Sequence, residues 1–210
     1  MINQLIDLFK LRIGVIMAIT ALVALVITPG QTVPLWQAAL LTMTVLMASA
    51  SAGAFNQYYE RDFDKLMERT SNRPFVTGRF SSENPIWMLI MFSMLVVSVG
   101  VAGYLLNGLS ALFIFLGAFF YAIVYAVWLK RRSWVNIIIG GASGSFAVLA
   151  GSAVVAPDLG VIPLIFAAVL FLWTPPHFWS LAIAQHKDYA AAGIPMLPVV
   201  KGDLVAAKAV

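Results

Sequence analysis

Six long apolar runs, separated by short polar segments, set the pattern of the chain. They lie at Ile13 to Ile27, Leu35 to Phe55, Pro85 to Leu106, Leu109 to Leu129, Trp134 to Ala156 and Val161 to Ala184. A helix needs about 20 apolar residues to cross a bilayer. The pattern therefore predicts an all-α, polytopic transmembrane helical bundle, one domain over residues 1–210. A seventh run begins near Leu204 and the chain stops at Ala207-Lys208-Ala209-Val210, so the bundle is expected to be truncated before its last helices. The first run follows basic residues, as a signal peptide would. No small-x-small cleavage pattern precedes Pro29-Gly30 and five further runs follow, so it reads as a membrane anchor. Gly140-Gly141-Ala142-Ser143-Gly144 lies inside a run and reads as a place where helices approach closely.

Composition sharpens the class. Hydrophobic side chains make up 61% and charged ones 10% of the chain, against roughly 45–50% and about 25% in soluble domains. There are no cysteines, which excludes disulfides, thiolate nucleophiles and sulfur-ligated metals. Any metal must take oxygen or imidazole ligands. The formal charge of +4 is first a topology signal in a membrane protein, not a sign of nucleic-acid binding. The linkers Pro29 to Pro34, Asn107-Gly108 and Pro157 to Gly160 carry no Lys or Arg, and all 13 basic residues lie on the other side. By the positive-inside bias that side, with the N-terminus, is cytoplasmic. The absence of an Arg-rich, acidic-poor leader points to a bacterial inner membrane.

The second run leads directly into Asn56-Gln57-Tyr58-Tyr59-Glu60-Arg61-Asp62-Phe63-Asp64-Lys65-Leu66-Met67-Glu68-Arg69. Asn56, Glu60, Asp64 and Glu68 recur every four residues, so a helix aligns them in one oxygen-rich stripe drifting by about 40° per step. Arg61, Lys65, Arg69 and Arg73 form a second stripe about 100° away. A solvated helix face would show similar charge pairing, which suits Lys65 and Glu68. It suits Asn56, Glu60 and Asp62 poorly, because carboxylates at a membrane boundary are costly unless compensated. Mg²⁺ takes oxygen ligands and commonly bridges one or two carboxylates to substrate phosphates, and Arg and Lys beside it suit a phosphate clamp. Two readings stand at this point: Mg²⁺-bridged binding of a phosphorylated ligand, or a structural charge-paired loop.

Two other segments on the same side bear on that choice. Lys130-Arg131-Arg132 follows the fourth run and is explained equally by topology. The last is Trp173-Thr174-Pro175-Pro176-His177-Phe178-Trp179, followed by Gln185-His186-Lys187-Asp188-Tyr189 and Gly193-Ile194-Pro195-Met196. The Pro pair must interrupt the helical hydrogen-bond ladder, and the freed carbonyls predict a polar cavity near His177. His177 is either a packing histidine or a contact to a charged or metal-bearing substrate. His186 reads as an interfacial loop residue.

The run Asn56-x-x-x-Glu60-x-Asp62-x-Asp64, with Glu68-Arg69-Thr70 and Arg73-Pro74, resembles the first acidic motif of the UbiA-type intramembrane prenyltransferases. Leu129-Lys130-Arg131, Asn136-Ile137, Gly140-Gly141, the Trp173 to Trp179 segment and Lys187-Asp188-Tyr189-Ala190-Ala191-Ala192-Gly193-Ile194-Pro195-Met196 are similar to the branch of that family that farnesylates heme. The similarity extends from the Lys10/Arg12 region to the end of the chain. It implies transfer of the farnesyl group of farnesyl diphosphate to the 2-vinyl group of heme b, giving heme o for terminal oxidases, with heme a synthase as a possible neighbour. It also implies a helical bundle around a central cavity with the acidic motifs at its mouth. Two features depart from the wider family: Glu60 stands where Asp is usual, and the second motif offers Asp188 with Ala192 four residues on, where many members have another Asp.

The resemblance implies Mg²⁺ held by Asn56, Glu60, Asp64 and Asp188, with Asp62 as a further catalytic carboxylate. Arg61, Lys65, Arg69, Lys130, Arg131 and Lys187 are the implied diphosphate contacts, and Tyr125, Trp173 and His177 line the heme or prenyl cavity. Two rivals are a prenyltransferase for a quinone precursor or chlorophyllide and a membrane transporter. A transporter would place ionisable groups near the bilayer midplane. No run here has an Asp, Glu, Lys or Arg at its centre.

Overall fold

The computed structural model describes residues 2–210, and every regular element among them is helical. The elements are α1 (Ile2–Leu8), α2 (Leu11–Ile27), α3 (Leu35–Asp64), α4 (Ile86–Leu105), α5 (Gly108–Phe119), α6 (Asn136–Gly140), α7 (Ala142–Val155), α8 (Val161–Ala184), α9 (His186–Ala191), α10 (Leu197–Lys201) and α11 (Asp203–Ala209), with α5 continuing as a π-helix over Phe120–Leu129. Five helices are long and apolar enough to cross a membrane, counting α5 with its π-helix and α6 with α7. The pair α1 and α2, bent by 56°, makes a sixth.

Helices α2, α3, α5 and α7 pack on one another, with α4 against α3 and α5 and α8 against α7. Their shared core is rich in alanine: Ala18, Ala21, Ala48, Ala52, Ala102, Ala111, Ala118 and Ala150 are buried. Lipid tails are as apolar as leucine, so membrane helices gain by close backbone approach through small residues and by hydrogen bonds between helices. Both devices are present. A Cβ on Gly151 would lie 1.9 Å from the Ala21 carbonyl oxygen, so α2 and α7 pack there only because the residue is glycine. Four buried serines donate to carbonyls of neighbouring helices: Ser51 to Met91 (2.6 Å), Ser98 to Thr44 (2.7 Å), Ser110 to Ala150 (2.9 Å) and Ser145 to Ala167 (2.8 Å). Large apolar residues such as Ile16, Val26, Leu89, Phe92 and Leu172 face outward, as a bilayer-embedded surface requires.

The two ends of the bundle differ. At the neutral end the connections are short and pinned, with Asn107 capping α5 through Ser110 N–H (2.7 Å) and donating to Ala153 O (2.8 Å). At the charged end, residues 65–85 and α9 to α11 fold over the helix termini. Phe75 anchors the first of these segments, edge-on to Tyr58 (5.5 Å) and Trp87 (5.7 Å).

One sequence expectation changes here. The acidic and basic stripes do not continue as a helix to Glu68 and Arg73, because α3 ends at Asp64. Thr70 Oγ1 caps the Asp64 carbonyl at 2.9 Å, and the chain turns back on itself. The Pro175-Pro176 pair interrupts the hydrogen-bond ladder as expected, inside a helix α8 that continues through both. Neither proline has an N–H, so the carbonyls of Phe171 and Leu172 lose their usual donors. Thr174 and Ser180 hydroxyls bond Leu170 O and Pro176 O on the adjoining turns, both at 2.8 Å.

Candidate functional site

The last two turns of α3 carry a buried row of polar groups at the charged end. Asn56 (2% exposed), Glu60 (3%) and Asp64 (0%) lie four residues apart on one face. Uncompensated, these carboxylates would be prohibitive. Each side chain is met by a basic group from a distant segment. Lys130 Nζ lies 2.5 Å from Glu60 Oε2, and Arg73 Nη1 lies 2.6 Å from Asp64 Oδ2. Lys10 Nζ donates to Asn56 Oδ1 (2.5 Å) and to the Tyr121 hydroxyl (2.8 Å).

Local structure explains how three remote cations converge. Lys10 sits at the break between α1 and α2 with φ 47°, a left-handed conformation unusual for a side chain larger than Gly or Asn. Gly53 makes room for it: a Cβ there would meet Lys10 Cβ at 3.1 Å and Phe9 O at 3.3 Å. Lys130 follows the π-helix, its N–H bonding Tyr125 O five residues back at 2.9 Å. π-helical turns often mark functional sites. This one places Tyr121 and Tyr125 one above the other (5.9 Å) under Lys10 (5.4 Å) and Lys130 (5.6 Å). Gly140 leaves space for Tyr125, whose ring a Cβ would strike at 2.8 Å. The buried Asn136 amide bonds Lys130 O at 3.2 Å.

The cluster is paired but not saturated. Glu60 Oε1 and Asp64 Oδ1 are buried with no hydrogen-bond partner, as are Asn56 Nδ2, Gln57 Oε1 and Asn136 Oδ1. Two unpartnered carboxylate oxygens on side chains one helical turn apart are a hard-oxygen donor set of the kind Mg²⁺ uses together with substrate phosphate oxygens. Glu60 and Asp64 therefore fit the metal, whereas the Asn56 amide oxygen is engaged by Lys10. No group of three or more acidic or histidine side chains stands close enough to share an ion among the described residues. Asp188 lies apart from the row: its two oxygens face the backbone N–H groups of Glu68 and Arg69, at 3.3 Å each. Asp62 is exposed and pairs with Lys65 at 3.2 Å.

Of the six basic residues expected at a diphosphate, only Lys130 is in the cluster. Arg61 turns back to Tyr58, donating to its carbonyl at 2.8 Å and lying 5.0 Å from its ring. Arg69 lies over Tyr189 at 5.9 Å. Arg131 stacks on Phe63 (3.5 Å) and Tyr59 (5.0 Å), a neighbouring face of α3. Lys65 and Lys187 are exposed. Lys10 and Arg73 take the places these residues leave. Arg73 belongs to the basic stripe visible in sequence, whereas nothing near Lys10 predicts that it reaches Asn56.

Trp173 and His177 are exposed on α8 and stacked on each other, with centroids 6.0 Å apart and planes at 16°. The His177 ring is exposed and has no hydrogen bond among the described residues, and the hydroxyls of Thr174 and Ser180 bond carbonyls on the turns beside the prolines. His186 is engaged with Asp203 at 2.6 Å. Tyr189, between Met67, Ile194 and Arg69, has its phenol held above the ordinary range by burial, with the Arg69 charge opposing.

The description of the UbiA prenyltransferase family matches residues 17–210. The chain is 56% identical over 199 residues to Protoheme IX farnesyltransferase 2 of Paramagnetospirillum magneticum, covering 95% of this chain and 69% of the relative. It is 46% identical over 200 residues to Protoheme IX farnesyltransferase 1 of the same organism, covering 95% and 70%. A UbiA homolog from Archaeoglobus fulgidus solved with DMAPP and Mg²⁺ is similar in fold, with a TM-score of 0.82 at 20% identity over 98% of this chain and 72% of that one. The same homolog bound to GPP and Mg²⁺ gives the same TM-score, 0.82.

Proposed function

The chain belongs to the UbiA prenyltransferase family, and from that premise we propose that it transfers the farnesyl group of farnesyl diphosphate to the 2-vinyl group of heme b, giving heme o. The carrying observation is its 56% identity to a relative named protoheme IX farnesyltransferase, of whose length it spans 69%. The buried cluster on α3 supplies chemistry that suits this reaction. It is an integral, multi-pass membrane protein by its helices. The confinement of Lys and Arg to the charged end supports a cytoplasmic orientation for it.

Glu60 and Asp64, with Asn56 once its amide oxygen is released from Lys10, would hold Mg²⁺, which would supply charge neutralisation for a bound diphosphate. Lys130, Lys10 and Arg73 neutralise the charge that grows on the departing diphosphate. They are fixed before substrate arrives, so little reorganisation accompanies the reaction. The allylic C–O bond of the donor breaks and its electron pair leaves with the diphosphate. Tyr121 and Tyr125 stack beside the cluster, and an aromatic face there would stabilise a cationic allyl group through its quadrupole. The apolar bundle keeps water from that cation until the terminal carbon of the heme vinyl group bonds to it. Water then adds to the neighbouring carbon and releases a proton, leaving a hydroxyethylfarnesyl substituent. Trp173 and His177 form the aromatic surface that suits the porphyrin.

The test feeds farnesyl diphosphate and heme b to the protein in detergent with Mg²⁺ and follows heme o by chromatography and mass. Product that vanishes on adding chelator is expected. Diphosphate release with a quinone precursor, and none with heme, would leave the donor chemistry standing and overturn the acceptor.

A further inference from the structure

A second row on α3, about 100° round the helix from the acidic one, receives the corner that carries Lys10. Gly53 and Gln57 stand four residues apart in that row, and both meet the break between α1 and α2. Gln57 is 3% exposed, and its Nε2 donates to the Asp7 carbonyl oxygen at 2.6 Å, 50 residues away in sequence. The same oxygen accepts the backbone N–H of Lys10 at 3.2 Å. Leu8, fully buried, packs with Ala54, Phe75 and Met91, and Gly53 leaves space for Phe9 O and the Lys10 Cβ. Residues 7–10 are thereby tied to the bundle just where the chain turns left-handed at Lys10. That conformation is costly for a residue with a Cβ, and it persists only where the surroundings over-determine it. A right-handed Lys10 would merge α1 into α2 and remove their 56° bend. Gln57 Oε1 has no partner, and a leucine in its place would strand no oxygen. Packing alone does not account for the amide; its bond to Asp7 does.

We propose that Gln57 is a positioning residue for Lys10: through the Asp7 carbonyl it holds the α1–α2 corner in the left-handed form that turns the ammonium into the charged cluster. There Lys10 Nζ meets Asn56 Oδ1 and the Tyr121 hydroxyl. Gln57 acts on the diphosphate only through that ammonium, and in this respect the inference rests on the proposed farnesyl transfer.

The test is a double-mutant cycle on the full chain in detergent, with Mg²⁺, heme b and varied farnesyl diphosphate. Gln57→Leu should lower kcat/KM for farnesyl diphosphate about tenfold, the upper range for one hydrogen bond, and Lys10→Met should lower it about 10²-fold. The double variant should stay within about twofold of Lys10→Met alone, because Gln57 then has nothing left to position. A merely structural role would lower the double variant by the further factor of about ten. Amide hydrogen exchange on the ligand-free protein supplies a readout that needs no turnover. Peptides spanning 8–14 should exchange about tenfold faster in Gln57→Leu than in wild type, with α7 peptides unchanged. Gln57→Met is made alongside in case the leucine variant fails to fold. The proposal is overturned by a kcat/KM within about twofold of wild type in these variants, by additive losses in the cycle, by unchanged exchange at 8–14, or by equal acceleration in α7. Wild type that gives no heme o removes the farnesyl-transfer reading, and exchange at 8–14 then judges the corner by itself.

Discussion

The α3 face and the α8 face of the charged end handle polar groups in opposite ways. On α3, Asn56, Glu60 and Asp64 are buried and each is answered by a basic group from elsewhere in the chain. On α8, Trp173 is 62% exposed and stacks on the His177 ring, which also meets Phe178 edge-on. A buried charge must be compensated by the protein itself, because removing one partner leaves the other stranded. The α3 site is therefore assembled in advance and suits a highly charged ligand that displaces or joins existing pairs. An exposed aromatic and imidazole surface needs no such compensation.

Four tests break or sharpen this contrast. Asp64→Asn has the largest expected effect on chemistry: turnover falls by about 10³-fold or more, of the order lost when a preorganised electrostatic group is removed, while heme binding by absorbance titration stays as in wild type. Loss of both together would mean that Asp64 acts through folding. Lys130→Met comes next. It strands Glu60 in a buried site, and thermal unfolding in detergent should show a loss of about 3–5 kcal/mol. Adding Glu60→Gln to it should recover much of that stability and none of the turnover, whereas recovery of neither would place the cost in packing.

His177→Ala tests the other face. Heme affinity should fall about tenfold, which corresponds to about 1.4 kcal/mol, with KM for farnesyl diphosphate unchanged. An equal rise in that KM would join the two faces into one site. The smallest effect is expected from Asp62→Ala with Lys65→Ala, an exposed pair separated by one turn. Exposed pairs contribute about 0–1 kcal/mol, and turnover should stay within about twofold. A large loss of turnover would return Asp62 to the reaction.

The sequence made much of the site legible. The four-residue spacing of Asn56, Glu60 and Asp64 places them on one face wherever a helix forms, and their position at the end of an apolar run gives their burial. Lys130 was readable as a basic residue beside a membrane helix. The other expected cations were not distinguishable from it, because a spacing of one residue decides whether a side chain turns inward or lies on a neighbouring face. Lys130 enters the cluster and Arg131 stacks on Phe63. Asp188 was legible as an acid in the right region, yet its partners are backbone N–H groups, which no side-chain pattern reveals.

What the sequence determined by itself was the class and the chemistry available: apolar runs of bilayer length, basic residues confined to one side, oxygen donors without cysteine, and a periodic acidic row. Hydrophobic length and helical period are local properties, so they survive without knowledge of the fold. Tertiary structure decided which charges meet. Lys10 reaches Asn56 across 46 residues because Gly53 lets the α1–α2 break press against α3, and Arg73 reaches Asp64 because α3 stops and the chain doubles back. Compensation of a buried charge is a property of the whole bundle, and only the assembled helices settle which cation supplies it.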